Sequence, residues 1–229
     1  NIMNSFIFRF APSPTGDLHL GHAYSAFCAW QAAGASSANF KLRIDDLDFT
    51  RCKDDYSERQ IEDLKWLGLS WDEAPLYQSQ RLGRYQEALA ELKDRALIYP
   101  CLLTRSEVRQ ILSAPQADGS LRHAITASET EKRLEKGTQP AWRLDMERIK
   151  KITPELTWHD ENYGLQIVDL HKIGDAVIAR RDIGASYHLS VVFYYADSSI
   201  DIVVRGRDLL ADTAIHRLLQ FLFDLPTPR

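Results

Sequence analysis

The stretch that decides the reading of this sequence is Phe6-Ile7-Phe8-Arg9-Phe10, followed by Ala11-Pro12-Ser13-Pro14-Thr15-Gly16-Asp17. The first five residues alternate and are rich in aromatics, which predicts a strand. Two prolines and a glycine in the next seven cannot continue a ladder and predict a loop. From about His19 to Ala33 the residues are mostly small and apolar, which predicts a buried helix. Phe40-Lys41-Leu42-Arg43-Ile44 predicts a second strand that ends in the acidic cluster Asp45-Asp46-Leu47-Asp48. A helix from about Asp54 to Leu67 follows, with Ile61, Leu64 and Leu67 on one stripe and Gly68 as its stop. Strand, loop, helix, strand, helix is a βαβ opening, so a parallel sheet with a right-handed crossover is expected. Ligands on such sheets sit at the carboxyl ends of the strands, where the Pro/Gly loop and the acidic cluster both fall.

Working outward, another helix is expected from Gln80 to Arg95. The middle, from about Tyr99 to His171, changes texture: a polar stretch near 113–128, then alternating segments at Pro140 to Met146 and Leu156 to Trp158. It reads as an inserted small α+β subdomain. The last part returns to βα character, with strands at Ala176 to Arg180 and Ile200 to Val204 and an amphipathic helix from Asp208 to Phe223. Residues 182–186 read as a loop, and Tyr187 to Ala196 fits either helix or strand. The fold class expected is therefore α/β.

Composition bounds the rest. The chain has 229 residues, 45% apolar and 26% charged, which is globular and argues against disorder or a fibrous repeat. A chain of this size buries roughly 70% of its unfolded surface and needs no staple. Three cysteines, Cys28, Cys52 and Cys101, are odd in number and far apart, which fits a reducing compartment better than a disulfide framework. No charged-then-apolar leader stands at Asn1, and no apolar run approaches the roughly 18 residues that span a membrane. The net charge of −4 excludes a basic nucleic-acid coat, though a local basic patch remains open.

The sharpest chemical feature is His19-Leu20-Gly21-His22 at the start of the first helix. Two imidazoles three residues apart share a helix face. The unpaired amides of a helix N-terminus attract anions such as phosphate. Gly21 would let a flat ligand approach the backbone, and the imidazoles could donate to charge developing on a phosphoryl group. The rival is a pair of helix-start histidines with no special role. A zinc reading is weak, since no third ligand lies at helical spacing. The P-loop and dinucleotide glycine patterns are absent, so a nucleotide would bind by another route.

At this point the residues resemble a known family. Arg9-Phe10-Ala11-Pro12-Ser13-Pro14-Thr15-Gly16 with His19-Leu20-Gly21-His22 resembles the opening of class I glutamyl-tRNA synthetases. Arg43-Ile44-Asp45-Asp46-Leu47-Asp48 is similar to their second motif, and Trp66-Leu67-Gly68-Leu69-Ser70-Trp71 to the helix end after it. Closer still are the short paralogues, the glutamyl-queuosine tRNA(Asp) synthetases. His22-Ala23-Tyr24-Ser25-Ala26, Val204-Arg205-Gly206-Arg207-Asp208-Leu209 and His216-Arg217-Leu218-Leu219-Gln220 carry that likeness, as does the run Pro226-Thr227-Pro228-Arg229.

The resemblance implies a Rossmann-type class I catalytic domain, with residues 1–98 and 172–229 as its halves and 99–171 as the insertion. It implies a ligase, cytoplasmic, that activates L-glutamate with ATP and Mg as glutamyl-adenylate. The glutamyl group would then pass to the queuosine base of tRNA(Asp). Carried over residue by residue, Pro12, His19, Gly21 and His22 would bind ATP, with His19 and His22 catalytic. Arg9, Ser13, Asp45, Tyr187 and Arg205 would bind glutamate. That set suits the ligand, because an arginine fork pairs with a carboxylate and an anion such as Asp45 meets the ammonium. No membrane contact is implied, and a monomer is the expectation.

The sequence departs from the family in four places. Asp45 stands where glutamate is usual, which draws the carboxylate back by about one methylene. Cys101 is followed by Leu102-Leu103 with no later cysteine, so the zinc that some members hold in the insertion is not expected. An apolar contact or a shortened loop would hold the subdomain instead. Tyr194 and Tyr195 stand where paired aspartates are commoner. The family's lysine-rich loop would follow Arg229, and the expectation is that this sequence is shortened relative to the gene product. The rival readings are the catalytic fragment of an ordinary glutamyl-tRNA synthetase acting on tRNA(Glu), and a catalytically inactive tRNA-binding module. Arg207-Asp208-Leu209 speaks against the first, and binding of ATP or an adenylate analogue would exclude the second. A glycosyltransferase reading of Asp46-Leu47-Asp48 competes with carboxylates that cap a helix or pair with Arg43 and Arg51. Arg180, Arg181, Lys150 and Lys151 are candidates for tRNA phosphates against an ordinary solvated face.

Overall fold

A computed structural model of the chain describes residues 6–113 and 120–229. In chain order the elements begin β1 (Phe8–Phe10), α1 (Leu20–Ala32), β2 (Phe40–Ile44), α2 (Asp54–Trp66), β3 (Leu76–Tyr77) and α3 (Leu82–Asp94). The middle holds β4 (Ile98–Cys101), α4 (Arg105–Leu112), α5 (Ala127–Glu135), β5 (Ala141–Leu144), α6 (Met146–Ile152), β6 (Thr157–Asp160), β7 (Gly164–Ile167) and α7 (Leu170–Ile173). The chain closes with β8 (Val177–Ala179), α8 (Tyr187–Asp197) and α9 (Leu210–Leu222).

The βαβ opening forms as the sequence predicts. β1, β2 and β3 pair in parallel, with Phe8 opposite Phe40 and Arg43 opposite Leu76. Phe8, Phe10, Phe40, Leu42 and Ile44 are buried, and α1 lays Ala26, Ala29 and Trp30 against them. The expectation of a buried helix holds for one face of α1 and is corrected for the other. Leu20 is 86% and Tyr24 70% exposed, because only one face of the helix meets the sheet. α2 buries Leu64 on its stripe, leaves Leu67 exposed, and stops at Gly68, whose φ of 85° is a conformation that suits glycine.

β4, β5 and β8 form a second, antiparallel sheet, and β6 and β7 a hairpin. The strand expected at 176–180 is β8, and it pairs with β5 of the middle region. Buried Asp175 ties these segments together. Its carboxylate accepts from the Tyr99 hydroxyl at 2.7 Å and from the Leu121 amide at 2.8 Å. Cys101 packs with Tyr99, Leu103 and Leu121, an apolar contact of the kind expected to hold the subdomain. The three cysteines are free thiols. Part of the polar stretch 113–128 lies outside the described residues, at 114–119.

Tyr187–Asp197 resolves as a helix, α8, capped by Ser186 and buried on both flanks between α9 and the sheets. The strand expected at Ile200 to Val204 does not form. The amides of Asp201 and Ile202 both reach the Ile7 carbonyl, Val203 bonds Arg229, and the Val204 carbonyl takes the Arg9 guanidinium. The segment is held, but its partners are scattered and no continuous ladder builds. Among the described residues no helix is long and apolar enough to cross a membrane.

Candidate active site

The two loops at the carboxyl ends of β1 and β2 meet. The Asp45 amide donates to the Pro12 carbonyl at 2.9 Å and the Lys53 amide to Pro14 at 3.1 Å. Buried Gln60 of α2 reaches across with its side-chain amide, donating to the Ser13 and Gly16 carbonyls at 3.1 and 2.7 Å. A proline-rich loop has few donors of its own, so its carbonyls are satisfied from α2 and the acidic cluster.

Asp45 does not stand alone. Arg43, 1% exposed, grips it with two parallel bonds, Nε to Oδ1 at 2.6 Å and Nη2 to Oδ2 at 2.9 Å. Burial alone would lower the Arg43 guanidinium, but the facing Asp45 carboxylate more than offsets this and holds it above its ordinary value. The Tyr194 ring lies 4.6 Å from the same guanidinium. Each Asp45 oxygen keeps a second lone pair for an ammonium. Asp46 accepts from the Ser79 amide and hydroxyl. Asp48 takes Thr50, Arg51 and Arg180, which hold its carboxyl well below the usual range. The predicted pairing with Arg51 is thus seen, while Arg43 chooses Asp45.

At the start of α1, His19 is the N-cap. Its Nδ1 accepts from the Gly21 amide at 3.1 Å, and the Nδ1 of His22 accepts from the His19 amide at 3.4 Å. The rings stack with centroids 3.7 Å apart. A ring nitrogen that accepts carries no proton, so each neutral imidazole carries its hydrogen on Nε2, free to donate outward. Burial, and then the charge of His19, lowers the pKa of His22 and favours that neutral form. Gly21 serves this arrangement in a way the sequence did not show. A Cβ there would meet the His19 ring at 3.0 Å, so glycine makes room for the ring itself.

Two cavities flank this core. A smaller one, about 160 Å³, is lined by Ser13, Asp45, Asp48, Gln78, Arg180 and Tyr187 among others. Burial pushes the Tyr187 phenol up, so it is a hydrogen-bond donor. A larger one, about 280 Å³, lies between the β6–β7 hairpin, residues 202–207 and α9. Arg205 lines it, bonded to Thr213 and 3.3 Å from Nδ1 of buried His216. Arginine can only donate, so His216 is protonated on Nε2, which donates in turn to His188 Nδ1 at 3.2 Å. Arg9 lines neither cavity. It is buried, donating to the Val204 carbonyl at 2.9 Å and to the Tyr195 hydroxyl at 3.5 Å.

Of the residues named from the sequence, Ser13, Asp45 and Tyr187 come together on one cavity and Arg205 stands on the other. His216 lies between Tyr187 and Arg205, with its ring 5.6 Å from that of Tyr187. His19, Gly21 and His22 gather at the head of α1, and Pro12 sits where the β1 loop meets Asp45. Arg180 of the tRNA candidates is spent on Asp48 and Asp182, Arg181 on the Leu103 carbonyl, and Lys151 on Glu147. Lys150 sits 3.3 Å from His171. Sequence reading missed the Arg43 grip as the partner of Asp45, and also Gln78, the Arg9–Tyr195 contact and the His188–His216 pair. The i, i+2 spacing of Arg43 and Asp45 at a strand end was the one local signal.

A βαβ opening, a His-x-Gly-His helix start and an acidic β2 loop closing on the proline-rich loop before it define a class. The sequence pattern of the tRNA synthetases class I (E and Q), catalytic domain, matches residues 6–229, and the chain belongs to that family. It is a ligase of the aminoacyl-tRNA synthetase type, and the family draws on ATP as co-substrate.

Within the family the chain is 39% identical to the glutamyl-Q tRNA(Asp) synthetase of Rhodobacter capsulatus, covering 97% of this chain and 84% of the relative. It is 38% identical to the protein of the same name from Nocardia farcinica, covering 96% and 69%. A glutamate–tRNA ligase of Synechococcus sp. is 36% identical over 92% of this chain and 45% of its own length. Among solved structures, the glutamate tRNA ligase of Elizabethkingia meningosepticum in complex with its amino acid superposes with a TM-score of 0.79 at 27% identity. It matches 99% of this chain, which spans 48% of that one.

Proposed function

We propose that this chain activates L-glutamate with ATP as glutamyl-adenylate and passes the glutamyl group to the queuosine base of tRNA(Asp). The observation that carries the chemistry is the meeting of the Pro12 carbonyl and the Asp45 amide. It ties the Asp45 loop to the Pro/Gly loop, and that loop leads on to the helix start whose two imidazoles keep outward Nε2–H donors, which supports a carboxylate for an ammonium and donors for a phosphate in one site. The choice of acceptor is supported by the two relatives named glutamyl-Q tRNA(Asp) synthetase.

In this reading Asp45 receives the substrate ammonium, with Ser13 and Tyr187 fixing its orientation and Arg205 drawing a carboxylate, while Arg9, which lines neither cavity, acts through the Val204 carbonyl and Tyr195 hydroxyl that it holds. His19 and His22, with Pro12 and Gly21, hold ATP, accompanied by Mg, at the head of α1. The glutamate carboxylate attacks the α-phosphate, pyrophosphate leaves, and the two imidazoles donate to the charge that develops there. The acyl carbon is then attacked by a hydroxyl of the queuosine base, and AMP leaves. Residues 1–98 and 172–229 would form the catalytic domain and 99–171 the insertion, in a cytoplasmic monomer without zinc.

The test locates the product. Labelled glutamate is transferred to tRNA, the tRNA is cut by nuclease, and the labelled fragment is identified. Label in the anticodon fragment supports the proposal. Label at the 3′ end would make the chain an ordinary glutamate–tRNA ligase, and no label on any tRNA would favour an inactive binding module.

A further inference from the structure

The smaller cavity contains a donor that nothing else in the site uses. Gln78 is 0% exposed and begins the single turn that leads into α3. Its Oε1 accepts the hydroxyl of Tyr85, which is also 0% exposed. Burial raises that phenol to about 12, so Tyr85 keeps its hydrogen. With the oxygen held in this way, the Gln78 Nε2 group has no partner among the described residues. Gln78 is among the residues lining the cavity, with Ser13, Asp45 and Tyr187.

The charged groups there are paired with one another or with Arg43. Asp48 binds Arg51 at 3.0 Å and Arg180 at 3.3 Å, and Asp45 is gripped by Arg43. The cations of the cavity are therefore largely neutralised by its own carboxylates, while a neutral buried amide is left with two hydrogens and no acceptor. Buried donors without partners are rare, because each gives up water and gains nothing until an acceptor arrives.

We propose that Gln78 is a substrate-binding residue of this cavity, its Nε2 donating to a carboxylate oxygen of the amino acid, and that Tyr85 is the positioning residue that fixes the amide. This rests on the reading that the cavity takes glutamate. An amide suits the task because it adds no charge to a cavity that already balances Asp45 and Asp48 against Arg51 and Arg180.

The test is glutamate binding by calorimetry to the wild-type full chain, Gln78→Glu and Tyr85→Phe, followed from about pH 8 to about pH 5. Over that range a buried carboxyl at position 78 takes up its proton. Gln78→Glu keeps the shape of the amide. Ionised, it repels the ligand carboxylate; protonated, it offers one O–H donor. The titratable and charged groups around it are Asp45, Asp48, Arg51, Arg180 and Tyr187 in the cavity, and Tyr85 with Arg43, Arg81 and Asp197 about it.

Expected at the high end is roughly a hundredfold loss for Gln78→Glu, a single buried charged contact being worth that much. The loss, taken as a ratio to wild type, shrinks at least tenfold as the pH falls. Tyr85→Phe loses a few-fold with no pH dependence, because the amide is free to turn. A merely structural glutamine gives no such pH-dependent recovery. Equal affinity of Gln78→Glu and wild type at high pH, or a pH-independent loss, overturns the assignment and leaves the glutamate reading standing. A wild-type chain that binds no glutamate overturns that reading and the assignment with it. Thermal melting of each variant accompanies the titrations. Should Gln78→Glu not fold, Gln78→Met replaces it, with at least a tenfold loss expected and unchanged affinity overturning the proposal.

Discussion

The smaller and the larger cavity differ in how their charge is arranged. Among the charged residues lining the smaller one, Asp45 and Asp48 face Arg51 and Arg180, two against two, and Asp48 is bonded to both arginines. The larger one sets Arg205, Arg207, Arg217 and Arg229 against Asp160 and Glu161, four against two. The balanced cavity is pre-organised and selects by placement of single groups. The larger cavity carries an excess of positive charge and suits an anion. A ligand with an ammonium and two carboxylates draws on both kinds of surface.

The largest effect expected is at the partner that orders the smaller cavity. Arg43→Met leaves the Asp45 carboxylate half-buried and unmatched, and should cost about 3–5 kcal/mol of stability. Urea unfolding checks this, and a loss under about 1 kcal/mol would mean that the grip is dispensable.

Next come the imidazoles at the head of α1. His22→Ala removes one outward donor and should slow adenylate formation by about 100- to 1,000-fold. His19→Ala should add a smaller loss of helix stability, since its ring is the cap. Pyrophosphate exchange and melting, read together, separate the two roles.

The third prediction sets the larger cavity apart by its pH response. Burial, and then Arg205, holds His216 well below its ordinary value. His188 is also lowered, by burial first, against the pull of Asp212. In the unfolded chain both rings protonate near about pH 6.5, while folded they resist. The unfolded state therefore binds protons first as pH falls, so this stability is present above about 6.5 and is lost below it. The urea midpoint should drop between about pH 7.5 and about pH 5.5, and His216→Gln should shrink the drop. An unchanged slope in the variant would show that the pair does not titrate as described.

The smallest effect is at the rim. Ser186→Ala removes the cap of α8, whose hydroxyl accepts from the Leu189 amide at 3.3 Å, and should cost about 1 kcal/mol in urea. It should leave the pH response of the His188–His216 pair intact.

The same comparison shows what the sequence could reveal. The smaller cavity is built from loops after β1 and β2, whose Pro/Gly and acidic runs are local signals. The meeting of the two loops could be foreseen from them, while Ser13 and Asp45 themselves are named by resemblance. The larger cavity joins a hairpin, an irregular segment and α9, which are brought together only by tertiary packing. Arg205 could be named there by resemblance, but its bonds to His216 and Thr213 could not. Tyr187 to Ala196 was ambiguous because a helix buried on both flanks shows no amphipathic period. The strand expected at Ile200 to Val204 failed for a related reason. Its residues suit a ladder, and only the positions of Ile7, Arg9 and Arg229 decide that none forms. Gln78 gave no local sign of its role, since an unpartnered amide becomes visible only once Tyr85 is seen holding its oxygen.

The central claim is the transfer of glutamate to a modified base. The most direct measurement supplies ATP and labelled glutamate with two tRNA(Asp) preparations, one carrying queuosine and one lacking it. Label confined to the queuosine-bearing tRNA is the predicted result, and equal label on both preparations would contradict the account.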